Sequence, residues 1–226
     1  MTNILLTGAS RGIGAACADA LKEHNLIGTS SADGDLANPA TPRRLWDSAL
    51  ERLAGRIDVL VNNAGVFEAA PVDLDHDAWV AAWERTMRIN LTASAELCRL
   101  AVQHFRENGG GRIVNVASRA AYRGDSPAHW HYAASKAGMI GMTKSIARGF
   151  AAENILAFAI CPGFVMTGMA EDYLASRGGD KLLADIPLGR VAMPDEVASA
   201  VRYLALEAPA SMTGAVIDIN GASYVR

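Results

Sequence analysis

Six short runs of nearly unbroken apolar residues alternate with segments of helical period. The runs are ILLTG (4–8), LIGTS (26–30), IDVLVNNAG (57–65), GRIVNVAS (111–118), ILAFAICPG (155–163) and AVIDING (215–221). A strand with one face in water alternates apolar and polar residues; these runs do not, so both of their faces must be covered. The helical segments include GIGAACADALKEHN, LWDSALERLA, residues 77–105 and residues 132–153. Strand followed by helix, repeated, predicts an α/β fold: a doubly wound parallel sheet in a single domain over residues 1–226. One connection is abbreviated. SADGDLANPATP (31–42) is polar and turn-rich, and it stands where a doubly wound fold normally supplies another helix and strand, so a shortened segment is expected after the second strand.

Composition narrows the partners. The chain has 226 residues, half of them hydrophobic, enough for one large core without metals or disulfides. A formal charge of −3 gives neither a basic field for nucleic acid nor a polybasic arm for a membrane surface. Cys17, Cys98 and Cys161 are odd in number and lie in apolar surroundings, as reduced buried thiols do, and no metal site is expected. With no leader-like start and no apolar run long enough to span a bilayer, the expected location is cytoplasmic.

Ligands of such a sheet bind at the carboxyl ends of its strands, so chemistry is sought just after each run, in TGASRGIG, SS, NNAG, AS and CPG. TGASRGIG (7–14) follows a strand and opens a helix, where unpaired N–H groups attract phosphate and glycines let a ligand reach the backbone. Its spacing is not the general G-x-G-x-x-G, and a tight turn alone would also use three glycines. YAASK sets Tyr132 and Lys136 four apart on one helix face, with Cβ atoms about 5–6 Å apart. T-G-x-x-x-G-x-G, then N-N-A-G, then Y-x-x-x-K, with Asn90 in RINLT, Ser118, Pro162-Gly163 and PLGRVAMPDEVA, resembles the short-chain dehydrogenase/reductase family along essentially the whole chain.

The resemblance implies a Rossmann-like domain that binds NAD(H) or NADP(H) and assembles as a homodimer or homotetramer. It implies catalysis by Asn90, Ser118, Tyr132 and Lys136. Tyr132 would exchange a proton with the substrate oxygen, its phenolate favoured by a nearby ammonium and by oxidised nicotinamide. Ser118 would hold the same oxygen, Lys136 would also bond the nicotinamide ribose, and Asn90 would hold a relay water. Cofactor contacts are expected from Gly8, Ser10, Arg11, Gly12, Ile13, Gly14, Ser30, Ser31, Asp35, Leu36, Asn63, Ala64 and Gly65. Tyr132, Lys136, Pro162, Gly163, Val165 and Thr167 complete that set. NADP(H) is favoured over NAD(H), because GTSS ends the second strand without an acid and Arg11 resembles the basic residue of NADP-preferring members; Asp33 and Asp35 weigh the other way.

The substrate side departs from the family. Ser118 and Tyr132 are fourteen apart where thirteen is commonest, so the loop RAAYRGDSPAHWH carries one extra residue. Tyr122, His129, Trp130 and Met169 are the expected pocket residues, ordinary packing being the alternative for each, and residues 165–190 are the expected substrate lid. The activity expected is interconversion of an alcohol and a ketone or aldehyde as a small-molecule substrate. A 3-oxoacyl-carrier-protein reductase is the nearest subtype, with Arg119, Arg123 and Arg177 as its basic patch; a silent dinucleotide-binding sensor or scaffold is the alternative of another class.

Overall fold

Each apolar run contains a strand in the computed structural model, which describes residues 1–167 and 179–226. β1 (Asn3–Thr7), β2 (Asn25–Thr29), β3 (Val59–Asn62), β4 (Gly111–Val116), β5 (Ile155–Pro162) and β6 (Val216–Ile219) form one parallel sheet in the order β2-β1-β3-β4-β5-β6. Leu5 pairs with Ile27 on one side and Leu60 on the other, and Val114 lies between Val61 and Phe158. The order turns back on itself between β1 and β3, which opens a crevice at their carboxyl ends. β2 is the edge strand, and residues 30–40 form turns that lead straight into a helix, so the shortened segment is borne out.

The helices are α1 (Gly12–Ala20), α2 (Thr41–Arg52), α3 (His76–Met87), α4 (Ala93–Glu107), α5 (Ala120–Arg123), α6 (Trp130–Phe150), α7 (Gly179–Ala184) and α8 (Pro194–Leu206). Alternate strand residues go to opposite faces of the sheet. Ile4, Leu6, Val61, Val114 and Phe158 pack with Cys17 of α1 and Val197 and Val201 of α8. Leu5, Leu60, Ile113 and Ala157 pack with Trp46 of α2, Leu97 and Phe105 of α4, and Ile146 of α6. Each large apolar side chain buried this way contributes roughly 1.5–3 kcal/mol against the entropy of ordering the chain. All three cysteines are free and buried. Among the described residues, no helix is long and apolar enough to cross a membrane.

Residues 77–105, read as one long helical segment, divide in two. Asp75 caps α3, accepting from the Ala78 N–H at 3.0 Å. A single π-helical turn, Arg88–Thr92, then separates α3 from α4. The wider turn changes the phase of the two helices and sets the fully buried Asn90 toward the ends of the strands.

Candidate active site

The glycine turn between β1 and α1 is shaped by contacts that side chains would block. Gly8 has φ +70, and a Cβ there would lie 2.8 Å from the Ala64 Cα. A Cβ on Gly14 would overlap the Gly8 carbonyl oxygen and come within 2.6 Å of the Asn63 amide. Asn63 Nδ2 donates to the carbonyls of Thr7 (3.1 Å) and Gly8 (3.0 Å), while Thr7 Oγ1 accepts from the N–H groups of Asn63 and Ala64, each at 3.1 Å. NNAG therefore fixes the glycine turn from the side. α1 opens with no side-chain cap and no acid in its first turn, leaving its N–H groups for an anion.

These parts line a cleft of about 420 Å³. Gly8, Ser10, Arg11, Gly12, Ile13, Gly14, Ser30, Ser31, Asp35, Leu36, Asn63, Ala64, Gly65 and Thr167 all face it, as expected for a dinucleotide pocket. Thr7, Thr29, Gly34, Leu45, Val66, Arg85 and Ile89 line it too and were missed from the sequence. Leu45, Arg85 and Ile89 sit on α2, on α3 and in the π turn, inside patterns that read as ordinary helix surface. Arg85 crosses the cleft toward Asp35 (3.8 Å) and Glu68 (3.5 Å). At the end of β2, the Asp33 carboxylate accepts from the Ser30 N–H (2.8 Å) and hydroxyl (3.1 Å), so Ser30 carries an internal anion. The donor set, the open helix start and the side-chain-free turn suit a nicotinamide dinucleotide.

α6 brings the reactive groups to the mouth of this cleft. Its inward stripe of Ser135, Lys136, Met139, Ile140, Thr143 and Ile146 is buried against the sheet, and the phase of that stripe carries Lys136 under the end of β4. Lys136 Nζ donates to the Val116 carbonyl at 2.8 Å and lies 5.8 Å from the centre of the Tyr132 ring. The Ser118 hydroxyl accepts from the Ala120 N–H at 3.1 Å and stands near enough to the Tyr132 phenol to pull its pKa down. Gly65 joins the two halves: a Cβ there would lie 3.3 Å from Asn90 Oδ1 and 3.5 Å from Lys136 Nζ. Asn90 Oδ1 accepts from the Val66 N–H at 2.8 Å, and its Nδ2 donates to the Val66 carbonyl at 3.0 Å and to Ser135 Oγ at 3.3 Å. The amide is thus committed to holding the NNAG turn.

Burial sets the charges of the pair. Desolvation pushes the Lys136 ammonium down to about 8. It also pushes the Tyr132 phenol up to about 12. Of the influences on the Tyr132 phenol, Ser118 is the one that lowers its pKa, and desolvation outweighs it.

The family model described as enoyl-(acyl carrier protein) reductase matches residues 24–222. The chain is 33% identical to an acetoacetyl-CoA reductase of Shinella zoogloeoides, covering 97% of this chain and 97% of that one. It is 34% identical to a 3-oxoacyl-[acyl-carrier-protein] reductase of Vibrio cholerae, covering 98% and 96%. A cis-4-hydroxycyclohexanecarboxylate dehydrogenase of Sinomonas cyclohexanicum is 36% identical, covering 96% and 94%. The chain belongs to the short-chain dehydrogenase/reductase family. It is an oxidoreductase that works with a nicotinamide dinucleotide.

In this short-chain dehydrogenase/reductase the three residues HWH go three ways. His129 stacks on Phe67, with ring centres 3.9 Å apart and planes at 5°, and its Nδ1 is 2.7 Å from Ser126 Oγ. Phe67 meets the Tyr132 ring edge-on at 4.8 Å, so Phe67 and His129 form a wall beside the phenol. No motif flagged Phe67, four residues after Asn63. Trp130 is 53% exposed and packs edge-on to Trp79 of α3. His131 is buried near Trp83, and burial pushes its imidazole below the usual histidine range. Tyr122 packs beside Ala117 of the strand end. It stacks on Tyr224, and its hydroxyl accepts from Arg226 at 3.0 Å under the C-terminal tail.

Five expected cofactor residues are outside the lining of the cleft: Tyr132 and Lys136 of α6, and three more on or just after β5. Pro162 ends β5, Gly163 sits against Asn220, and Val165 is buried in the core with a bridge to Ala192. Met169, Arg177 and the rest of residues 168–178, the middle of the expected lid, lie outside the described residues. The described part beyond it is packed: Leu182, Ile186 and Val191 form a small cluster with Met166.

Proposed function

We propose that the protein reduces a small ketone or aldehyde, and oxidises the matching alcohol, at Ser118 and Tyr132 with NADP(H) held in the glycine cleft. The observation that carries this reading is the approach of Asn90 and Lys136 to Gly65 of the cleft, with the Tyr132 ring beside Lys136 and Ser118 beside the phenol. When bound, the dinucleotide supplies or accepts the hydride. Ser118 and Tyr132, close enough for the serine to lower the phenol's pKa, present two hydroxyls to one substrate oxygen and polarise its carbonyl. Tyr132 keeps its proton through neutral pH, with a pKa near 12, and so acts as the acid in reduction. Lys136, with a pKa near 8, is charged at pH 7 and sits close enough to stabilise the phenolate left behind. Asn90 acts as a positioning residue that holds Val66, and through it Gly65, against Lys136.

The wall of Phe67 and His129 suits a compact apolar substrate face beside the reacting carbon. A carrier-protein substrate is less well supported. Arg119 and Arg123 both approach the carboxylate of Asp185, at 3.5 and 2.6 Å, and Arg119 is buried, so they do not form an open basic face. A silent binding module would leave the cost of the buried Lys136 without a use. One domain is the working unit, and α4 and α6 pair across a homodimer or homotetramer through exposed small positions such as Ala137 and Gly141.

NADP(H) is the cofactor this reading selects, because Arg11 is exposed at the cleft with no carboxylate within ion-pair distance among the described residues. The test is a panel of cyclic and acyclic ketones, followed by loss of the absorbance of reduced nicotinamide with NADPH and with NADH. Turnover of at least one ketone, faster with NADPH, is expected. A panel left unreduced with both dinucleotides contradicts the proposal.

A further inference from the structure

We infer that Arg44 of α2 is a second cation of the pocket that reads the adenosine ribose, and that it selects a 2′-phosphate there together with Arg11. The inference rests on the dinucleotide reading above. No second basic residue follows Ser31 in the sequence, but the shortened connection brings one in from the next helix. The turns of residues 30–40 are so brief that the first turns of α2 reach the cleft, and Leu45 and Gly34 both line it. Arg44 Nη2 donates to the Asp33 carbonyl at 2.8 Å, and the guanidinium fills the space that a Cβ on Gly34 would take. The charge is thereby held against Gly34, which itself lines the cleft.

The charges around the cleft are unequal. Arg85 is matched by Asp35 and Glu68, and Arg43 by Asp47. Arg44 and Arg11 have no carboxylate within ion-pair distance among the described residues; Arg11 lines the cleft with Ser30, and Arg44 holds the carbonyl of Asp33, whose carboxylate Ser30 binds. The Ser30 N–H and hydroxyl already converge on an anionic oxygen, that of Asp33. A 2′-phosphate offers the same donors a stronger acceptor and meets two guanidinium groups, with Asp33 as its competitor. A free 2′-hydroxyl leaves Asp33 in place and gives Arg44 nothing to hold. Arg44 therefore acts on one dinucleotide and not the other, and Asp33 limits the size of the preference.

Direct binding tests this without any substrate. Wild type, Arg44→Ala, Arg44→Lys and Asp33→Asn are titrated with NADPH and with NADH, following the fluorescence of the reduced nicotinamide. Wild type is expected to bind NADPH the more tightly. Arg44→Ala should weaken NADPH about tenfold and NADH less than about twofold, the size expected for one charge-assisted contact. Arg44→Lys should keep part of the preference, and Asp33→Asn should tighten NADPH. Equal losses on both dinucleotides would make Arg44 only a clamp on the loop and overturn the inference, as would a wild type that prefers NADH. If wild type binds NADPH tightly and Arg44→Ala matches it, the inference fails while the proposed function stands. If wild type binds neither dinucleotide, the proposed function fails as well.

Discussion

The two ends of the site are built differently. The dinucleotide end is made of backbone: a glycine turn, the NNAG turn and the hydrogen bonds between them, with little room for a different side chain at Gly8, Gly14 or Gly65. The substrate end is made of side chains on a loop and a helix start, where Phe67, His129 and Trp130 are held by ring contacts and one hydrogen bond. A site built on backbone tolerates almost no change and serves one ligand; a wall of side chains can be remodelled without disturbing the strands beneath it.

The sharpest way to break this contrast is at Gly14. Gly14→Ala drives a methyl group into the Gly8 carbonyl and the Asn63 amide, so the turn must open. Dinucleotide affinity should fall about a hundredfold and stability by about 1–3 kcal/mol, read by NADPH titration and thermal melting. Near-normal affinity in this variant would mean that the backbone cradle is not the binding site.

A smaller effect is expected from the titration of Lys136. Its pKa is depressed from 10.5 to about 8, so between those values the unfolded chain holds the proton that the folded chain has lost. Folding carries the full penalty below pH 8, and this group's contribution to stability rises as the pH climbs from 8 toward 10.5. Tyr132 titrates higher, near 12, and the cysteines are common to both proteins compared. Denaturant unfolding at several pH values should therefore show wild type gaining on Lys136→Met as pH rises, by at most a few kcal/mol. A constant difference would mean that Lys136 is not desolvated.

The least effect belongs to the wall. His129→Ala removes the stack on Phe67, worth about 0.5–1.5 kcal/mol, so the Michaelis constant for an accepted ketone should rise only a few-fold. NADPH affinity should stay unchanged. A loss of NADPH affinity here would join the two regions that the structure separates.

The same contrast explains what the sequence made readable. Parallel strands were visible because both faces are buried, which leaves runs such as ILAFAICP without polar alternation. The glycine turn was visible because its backbone demands particular residues in a particular order. Ser118, Tyr132 and Lys136 were recognised through a resemblance, and the structure brings them together. Arg85 escaped because nothing distinguishes an arginine facing a cleft from one facing water until helix phase places it. Tyr122 and Trp130 lie in the loop expected beside substrate, and the directions of their side chains come from packing against Tyr224 and Trp79, which no spacing encodes. The pKa of Tyr132 depends on desolvation, which no spacing encodes.

The central claim is that one phenol, set at the mouth of the glycine cleft, carries the proton. Tyr132→Phe keeps the ring that packs against Phe67 and removes only the hydroxyl. The decisive measurement is turnover of an accepted ketone by this variant, alongside its NADPH affinity. Turnover should fall by about 10²–10⁴-fold, the range for loss of a general acid, with NADPH affinity within about twofold of wild type. Near-normal turnover with intact NADPH binding would contradict the account.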